Sequence, residues 1–273
     1  MPEGPEIKRA ADAIASALVE RPVVELFFAF ERLKLYEQKL AGTTVTTVQP
    51  RGKAMLIRFD NELSIYSHNQ LYGQWIVRNA YSYPETNRQL RLAIHNSQKS
   101  ALLYSASDIE VLNDDDIAMH PFLSKLGPDV LAPSTTVEQV EQRLQDQRFA
   151  RRQFTSLLLD QHFLSGLGNY LRSEILFVAR IHPTQRPIDC LPKLPRLAAA
   201  SLSVSRQSYE TGGITNDLEQ ARRLKEQGVK RAEYRHWVFN RAERPCFACD
   251  TKIVKAVSGG RRYYYCPYCQ SKT

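Results

Sequence analysis

The 273-residue chain contains no run of about 18 apolar residues, which excludes a membrane-spanning helix. Its first twenty residues, MPEGPEIKRAADAIASALVE, carry charges throughout and no apolar core segment, so no secretory leader is expected. Cysteine is scarce, with five in all, too few and too clustered for a disulfide-stapled secreted scaffold. Internal repeats and low-complexity tracts are also missing, which argues against a solenoid or a disordered tail. What remains is the composition of a globular protein long enough for two domains, each with its own core. No membrane association and a cytoplasmic location are the expectations that follow.

Charge is unevenly placed. The chain carries a net charge of +8. From Leu218 to the end there are 13 Lys+Arg against 5 Asp+Glu, whereas the first 217 residues carry 24 of each sign. The whole excess therefore sits in the C-terminal fifth. A polyanionic partner and a merely solvated basic tail both fit that asymmetry.

Four of the cysteines are regularly spaced. Cys246-Phe-Ala-Cys249 and Cys266-Pro-Tyr-Cys269 are separated by 16 residues. Each pair can close a tight knuckle that aims two thiolates at one point, and two knuckles make a tetrahedral four-thiolate site suited to one Zn2+. A closed site of this kind leaves no position for water, so the metal is read as structural. The intervening DTKIVKAVSGGRRYYY reads as two strands turning at Ser258-Gly259-Gly260. Cys190, in the Pro-rich IHPTQRPIDCLPKLP, has no activating base beside it and reads as incidental.

Along the chain, the spacing of Ile7, Ala10, Ala11, Ile14 and Leu18 predicts an amphipathic helix over 5–20, opened by Pro5 and stopped by Pro22. Residues 23–110 read as short strands: VVELFFAF, TTVTTVQPRG, KAMLIRFD, LSIYSHNQ, QWIVRN, QLRLAIHN and SALLYSAS. Their spacing suggests a sandwich or barrel. A short helix is expected at 113–119 and a linker around Gly127-Pro128 and Pro133. Helices are expected at 136–145, 150–161, 169–178, 193–211 and 217–227. The domain scheme is thus 1–125, a linker 126–134, a helical part 135–235 and a cysteine module 236–273.

Several positions could carry chemistry. If Met1 is removed, Pro2 offers a free secondary amine, and amines attack aldehydic carbons to form Schiff bases. An α-amine titrates at about 8, so part of it is neutral near pH 7. Glu3 and Glu6 stand beside it, Glu6 in the first helical turn where the dipole favours carboxylate. On pattern alone a simple acidic helix start is the better reading. In Ser165-Gly166-Leu167-Gly168-Asn169 the glycines permit a tight reversal, and Asn169 suits the N-cap of the next helix, whose amides could hold a phosphate. Lys53 looks like an ordinary surface lysine, and Leu71 and Tyr72 look like strand packing. Arg261 and Arg262 at the hairpin tip read as solvated charges or as phosphate contacts. At least one of Tyr263, Tyr264 and Tyr265 must pack inward.

Taken together, MPEGPE at the start, Gly-Leu-Gly-Asn in the middle and the four-cysteine ribbon at the end resemble the formamidopyrimidine-DNA glycosylase/endonuclease VIII family. The likeness spans nearly the whole chain. YSHNQLYG (66–73), LLYSASDIE (102–110), HPFL (120–123), GPDVL (127–131) and LLLDQHFLSGLGNYLR (157–172) bring it closest to bacterial endonuclease VIII. The resemblance implies a multidomain α+β fold: an N-terminal β-sandwich with an N-terminal helix, then a C-terminal helix-two-turn-helix domain with a zinc-ribbon β-hairpin. It also implies a monomeric base-excision glycosylase and abasic-site lyase acting on double-stranded DNA with oxidised bases, pyrimidines preferred, or abasic sites. Pro2 would attack C1′, Glu3 would act as general acid, Glu6 would support the site, and Lys53 would contact phosphate and assist β,δ-elimination. Gln70, Leu71 and Tyr72 would fill the stack vacated by the flipped nucleotide. Asn169 and Arg261 would hold phosphates flanking the lesion, Arg261 counting with the catalytic set and Arg262 as an additional DNA contact. Gly259-Gly260 and the second arginine depart from the family pattern at the ribbon tip. Only charge is legible in 213–234, where the family often places a mobile loop.

A non-catalytic reader of damaged DNA would need the ribbon, the Gly-Leu-Gly-Asn turn and the basic tail, but not Pro2, Glu3 and Lys53 together. A zinc-ribbon protein acting on RNA is a further alternative with no positive support in the residues.

Overall fold

The first helix, α1 (Gly4–Leu18), begins with Pro5 in its opening turn, where a missing N–H costs nothing. The computed structural model in which it is seen describes residues 2–272. Ile7, Ala11, Ile14 and Leu18 recur on one face of α1 and are buried. The helix stops before Pro22, contrary to the sequence expectation. Val19 is already extended and bridges Val45, and the Glu20 amide donates to the Val45 carbonyl. Strand pairing, not proline, ends it.

The chain divides into two compact units, Met1–Lys125 and Leu126–Thr273. In the first, the elements after α1 are β1 (Glu25–Phe28), α2 (Leu35–Leu40), β2 (Val45–Arg51), β3 (Ala54–Phe59), β4 (Ser64–His68), β5 (Gln74–Asn79), β6 (Leu90–His95), β7 (Lys99–Tyr104), β8 (Asp108–Leu112) and α3 (Asp114–Met119). Two antiparallel four-stranded sheets form, ordered β1-β6-β7-β5 and β2-β3-β4-β8. Ile57, Ile65, Ile94 and Leu103 from the sheets share one core with Ile7, Ile14 and Leu18 of α1. Burying each such side chain contributes about 1.5–3 kcal/mol, so the helix is fixed to the sandwich by several residues rather than by its own propensity.

Two departures from the sequence reading occur here. Residues 35–40, placed among the strands, are helical: Glu37 accepts from the Phe28 amide and Leu40 is fully buried. β8 is an additional strand, and it completes the second sheet.

The second unit holds α4 (Val137–Gln145), α5 (Gln147–Ala150), α6 (Phe154–Leu157), α7 (Asn169–Val178), α8 (Leu194–Glu210), α9 (Leu218–Glu226), α10 (Arg231–Tyr234), β9 (Val254–Ser258) and β10 (Arg261–Tyr265). Its helices enclose a core that includes Leu144, Phe154, Phe163, Leu171, Ile175 and Leu197. The helix expected at 150–161 is broken. Gln153 is extended, and the amides of Phe154 and Thr155 donate to the carbonyls of Gln185 and Pro183 instead of continuing a helix. The 213–234 stretch contains α9, near the helix expected at 217–227, and folds around Asn216 and Thr215. The Asn216 side chain donates to the Tyr234 carbonyl, and the Thr215 amide donates to that of Arg235. Among the described residues no helix is long and apolar enough to cross a membrane.

Candidate functional site

At the chain start, Glu3 is the N-cap of α1 and is buried. Its backbone N–H donates to Glu6 Oε2 over 3.0 Å, and the other oxygen of Glu6 accepts from Arg9 Nη2, also over 3.0 Å. The Glu6 carboxylate therefore fixes the peptide that joins Pro2 to Glu3. A helix N-terminus favours that negative charge. The sequence put Glu6 beside the start; the structure gives it this specific orienting contact.

Lys53 belongs to the same unit. It sits with Gly52 in a two-residue turn between β2 and β3, where Arg51 pairs with Ala54. Gly52 has φ +63°, the positive value such a hairpin turn demands at its first central position. As a residue Lys53 is only 6% exposed, so it is not the ordinary surface lysine that sequence alone suggests. Burial holds the imidazole of His68, at the end of β4, below its usual value; the Asp108 carboxylate opposes this and the Lys53 charge adds to it.

Beyond β4 the chain makes a tight loop over 69–73. The Gly73 amide donates to the Asn69 carbonyl over 2.7 Å. Gln70 is left-handed, with φ +49°. Its amide donates to His68 Nδ1 over 3.0 Å, and its side-chain Oε1 accepts from Ser107 Oγ over 2.8 Å. Leu71 and Tyr72 are 55% and 68% exposed, so they do not pack in the strand core as their pattern alone suggests.

In the second unit, Gly166 has φ +95° and lets the chain reverse ahead of α7. Gln161 braces the turn, accepting from the Gly166 amide and donating to the Leu167 carbonyl. The N-cap of α7 is Gly168, extended at φ −142° and ψ −157°, and Asn169 is the first helical residue. The expectation that Asn169 caps the helix is corrected. Glycine occupies the cap, which leaves the Asn169 side chain one position further into the first turn.

α7 also carries two charges inside its buried face. Arg172 is completely buried and donates to the carbonyls of Thr155 and Arg262, the latter over 2.8 Å. Glu174, equally buried, accepts from the amides of Trp237, Val238 and Phe239 and from the Thr215 hydroxyl. Burial pushes this carboxyl up and the four donors pull it back. These residues tie the helix of Asn169 to the ribbon and to the segment before it. The sequence reading missed them, as it missed His68. The available signal was an arginine and a glutamate within the mostly apolar LRSEILFV run.

The ribbon forms as expected. β9 and β10 pair from Val254↔Tyr265 to Ser258↔Arg261, leaving Gly259-Gly260 as a two-residue turn with φ +54° and +73°. Both values suit a type I′ turn, which matches strand twist and favours glycine. Tyr263 and Tyr264 are buried, and Arg261 and Arg262 are exposed. Arg261 rims a cavity of about 300 Å³ that Arg152, Thr155, Asp160 and Ser258 also line.

The Cys246, Cys249, Cys266 and Cys269 sulfurs all lie within 4.8 Å of one another. Cys249 Sγ is 3.4 Å from both Cys266 Sγ and Cys269 Sγ, and Cys246 Sγ is 4.0 Å from Cys269 Sγ. A zinc–sulfur bond of about 2.3 Å sets tetrahedral sulfurs roughly 3.8 Å apart, so the donor set fits a four-thiolate metal. The amides of Ala248 and Cys269 point at the Cys246 and Cys266 sulfurs, as knuckles holding thiolates require.

The chain matches two domain models: the formamidopyrimidine-DNA glycosylase N-terminal domain over residues 1–107 and the formamidopyrimidine-DNA glycosylase H2TH domain over 126–228. It is 46% identical over 271 residues to Endonuclease 8 of Shigella sonnei (strain Ss046), covering 99% of this chain and all of that one. The same identity and coverage hold for Endonuclease 8 of Escherichia coli O9:H4 (strain HS). Lactococcus lactis Fpg in complex with abasic-site DNA shares the fold with a TM-score of 0.80 at 17% identity, covering 98% of this chain and 99% of that one. The wild-type Lactococcus lactis Fpg (MutM) bound to DNA containing an oxidised pyrimidine gives a TM-score of 0.80 at 18% identity, covering 99% of this chain and 100% of that one. On this identity and coverage, the chain belongs to the formamidopyrimidine-DNA glycosylase and endonuclease 8 family.

Proposed function

We propose that this protein is a base-excision DNA glycosylase and abasic-site lyase that removes oxidised bases, with pyrimidines preferred. Its relatives are named Endonuclease 8 and its matched domains are those of a DNA glycosylase. The observation that carries the catalytic part is the contact between the Glu3 amide and the Glu6 carboxylate. It is the reciprocal half of a capping box, and it holds the Pro2–Glu3 peptide in one orientation, which supports an amine nucleophile at Pro2.

After loss of Met1, the Pro2 nitrogen attacks C1′ of the damaged nucleotide. The bond from C1′ to the base breaks, and the base leaves with its electron pair and takes up a proton. Glu3 protonates the ring oxygen as the ring opens to an iminium. Loss of a C2′ proton then expels the 3′ phosphate, and a second elimination expels the 5′ phosphate. Each step is redox-neutral. Lys53 contacts phosphate and assists elimination. Gln70, Leu71 and Tyr72 occupy the space left by the flipped nucleotide, at a few kcal/mol of unstacking. Asn169 and Arg261 hold phosphates beside the lesion, and the exposed Arg262 side chain adds a further DNA contact. Cys246, Cys249, Cys266 and Cys269 would hold one Zn2+, which supplies structure to the ribbon when bound and takes no part in the chemistry.

Borohydride trapping tests this reading. The substrate is a duplex with one oxidised pyrimidine, and the processed protein is compared with one carrying an N-terminal extension. A covalent adduct with the processed protein alone is expected. If neither form traps while both bind the duplex, the enzyme reading fails and a non-catalytic reader of damaged DNA replaces it.

A further inference from the structure

We infer that His68 is a positioning residue for the 69–73 loop: its ring nitrogen Nδ1 holds the Gln70 backbone in the left-handed turn that presents Leu71 and Tyr72. The inference rests on the proposed role of that loop as the wedge filling the vacated stack.

β4 ends at His68, which is still in register with Ala54 on one side and Asp108 on the other. The ring is therefore anchored by sheet pairing, and the edge of Phe122 meets it at 5.7 Å and 81°. Nδ1 accepts the Gln70 N–H over 3.0 Å. A nitrogen that accepts carries its lone pair, so the proton resides on Nε2. The contact spans two residues and closes the same ring as an Asx turn, in which a side-chain acceptor one bond past Cγ takes the N–H two residues ahead. This chain builds the same turn with asparagine or aspartate at Asn61, Asn96, Asp129, Asp146 and Asp160. The His68 contact is thus an Asx-type turn with imidazole as the acceptor.

The loop requires such a restraint. Left-handed backbone is unfavourable for a residue with a Cβ and persists only where its surroundings over-determine it. Gln70 is fixed three ways: by His68 at its amide, by Ser107 at its side chain and by the Asn69 to Gly73 closure around it. These contacts hold two large apolar side chains in solvent. An unrestrained loop would fold those side chains back onto the protein, so preorganisation decides whether they stand ready to enter a base stack.

The test compares His68→Ala, His68→Asn and the double variant Leu71→Ala/Tyr72→Ala with the parent. Two rates are measured on one duplex sequence: excision of an oxidised pyrimidine, and strand cleavage at a preformed abasic site. His68→Ala is expected to lower the ratio of excision to cleavage about tenfold, as loss of one orienting hydrogen bond and a strained turn would do. His68→Asn places Oδ1 where Nδ1 was and is expected to restore the ratio to within about twofold. A merely structural role predicts no such rescue. If the double variant excises like the parent, the wedge reading itself fails. If the double variant is impaired while His68→Ala matches the parent, or if His68→Asn is as impaired as His68→Ala, the wedge reading stands and the role of His68 is overturned.

Discussion

The Thr215 hydroxyl donates to Glu174 Oε2 over 2.6 Å, and Thr215 Oγ1 lies 2.8 Å from His236 Nδ1. Because the hydroxyl proton is committed to the carboxylate, Thr215 must accept from His236, which places the imidazole proton on Nδ1. A neutral ring satisfies this chain. Burial, reinforced by Arg235 and Arg231, lowers the His236 pKa to about 3.

The sign of the resulting pH effect is fixed. An unfolded histidine takes a proton near pH 6.5, whereas folded His236 does not until about pH 3. Its contribution is therefore complete above the unfolded value and is lost as pH falls between them, by about 1.4 kcal/mol per pH unit. Urea unfolding monitored by Trp237 fluorescence in a Trp75→Phe background should show a lower midpoint at pH 5 than at pH 7.5. His236→Gln should flatten that slope without removing it, since burial also lowers His68, His95 and His182. An unchanged slope in the variant would refute the assignment to His236.

Removal of the ribbon metal should unfold the ribbon. A structural four-thiolate zinc contributes on the order of 10 kcal/mol in small modules, far more than the few buried residues around Ile253 and Tyr264 can replace. Cys249→Ser or a strong chelator should open residues 245–272 to protease, with loss of about one zinc per chain by elemental analysis. A protein without metal that stays protease-resistant would contradict a structural role.

Gly73→Ala probes the exposed loop from its other end. A Cβ on Gly73 would lie 2.5 Å from the Asn69 carbonyl oxygen and 2.7 Å from the Asn69 Cα, both backbone atoms that cannot rotate away. Overpacking of this kind costs about 1–3 kcal/mol. The melting temperature should fall by several degrees, and excision from duplex DNA should fall with it. Parental stability would mean that the loop shifts freely.

Local pattern made much of this structure legible. α1 and α8 follow from apolar spacing, and the ribbon follows from two cysteine pairs around Gly259-Gly260. Residues whose roles depend on distant partners were hidden. Arg172 finds its carbonyl at Arg262, and Glu174 finds its amides at 237–239. Nothing in the spacing around either residue announces those meetings. The helix expected at 150–161 fails for the same reason: its amides are claimed from residues 183 and 185. Lys53 looked like an ordinary surface lysine, and His68 was not singled out, because the surroundings of both are created by sheet pairing, not by neighbours in sequence.

Arg261 separates backbone contact from mere surface charge. It pairs with Ser258 at the base of the Gly259-Gly260 turn, and Arg172 fixes the neighbouring carbonyl of Arg262. A guanidinium on such a mount pays little entropy to meet a phosphate. Each phosphate contact to duplex DNA adds about 0.9 to the slope of log affinity against log salt. Binding should therefore weaken steeply with salt, and Arg261→Ala should reduce that slope by about one while weakening binding to all sequences alike. Lys252→Ala, which removes an exposed charge already near Glu243, serves as the control and should leave the slope nearly unchanged. Equal slopes for Arg261→Ala and the parent would show that the hairpin tip does not touch the DNA backbone.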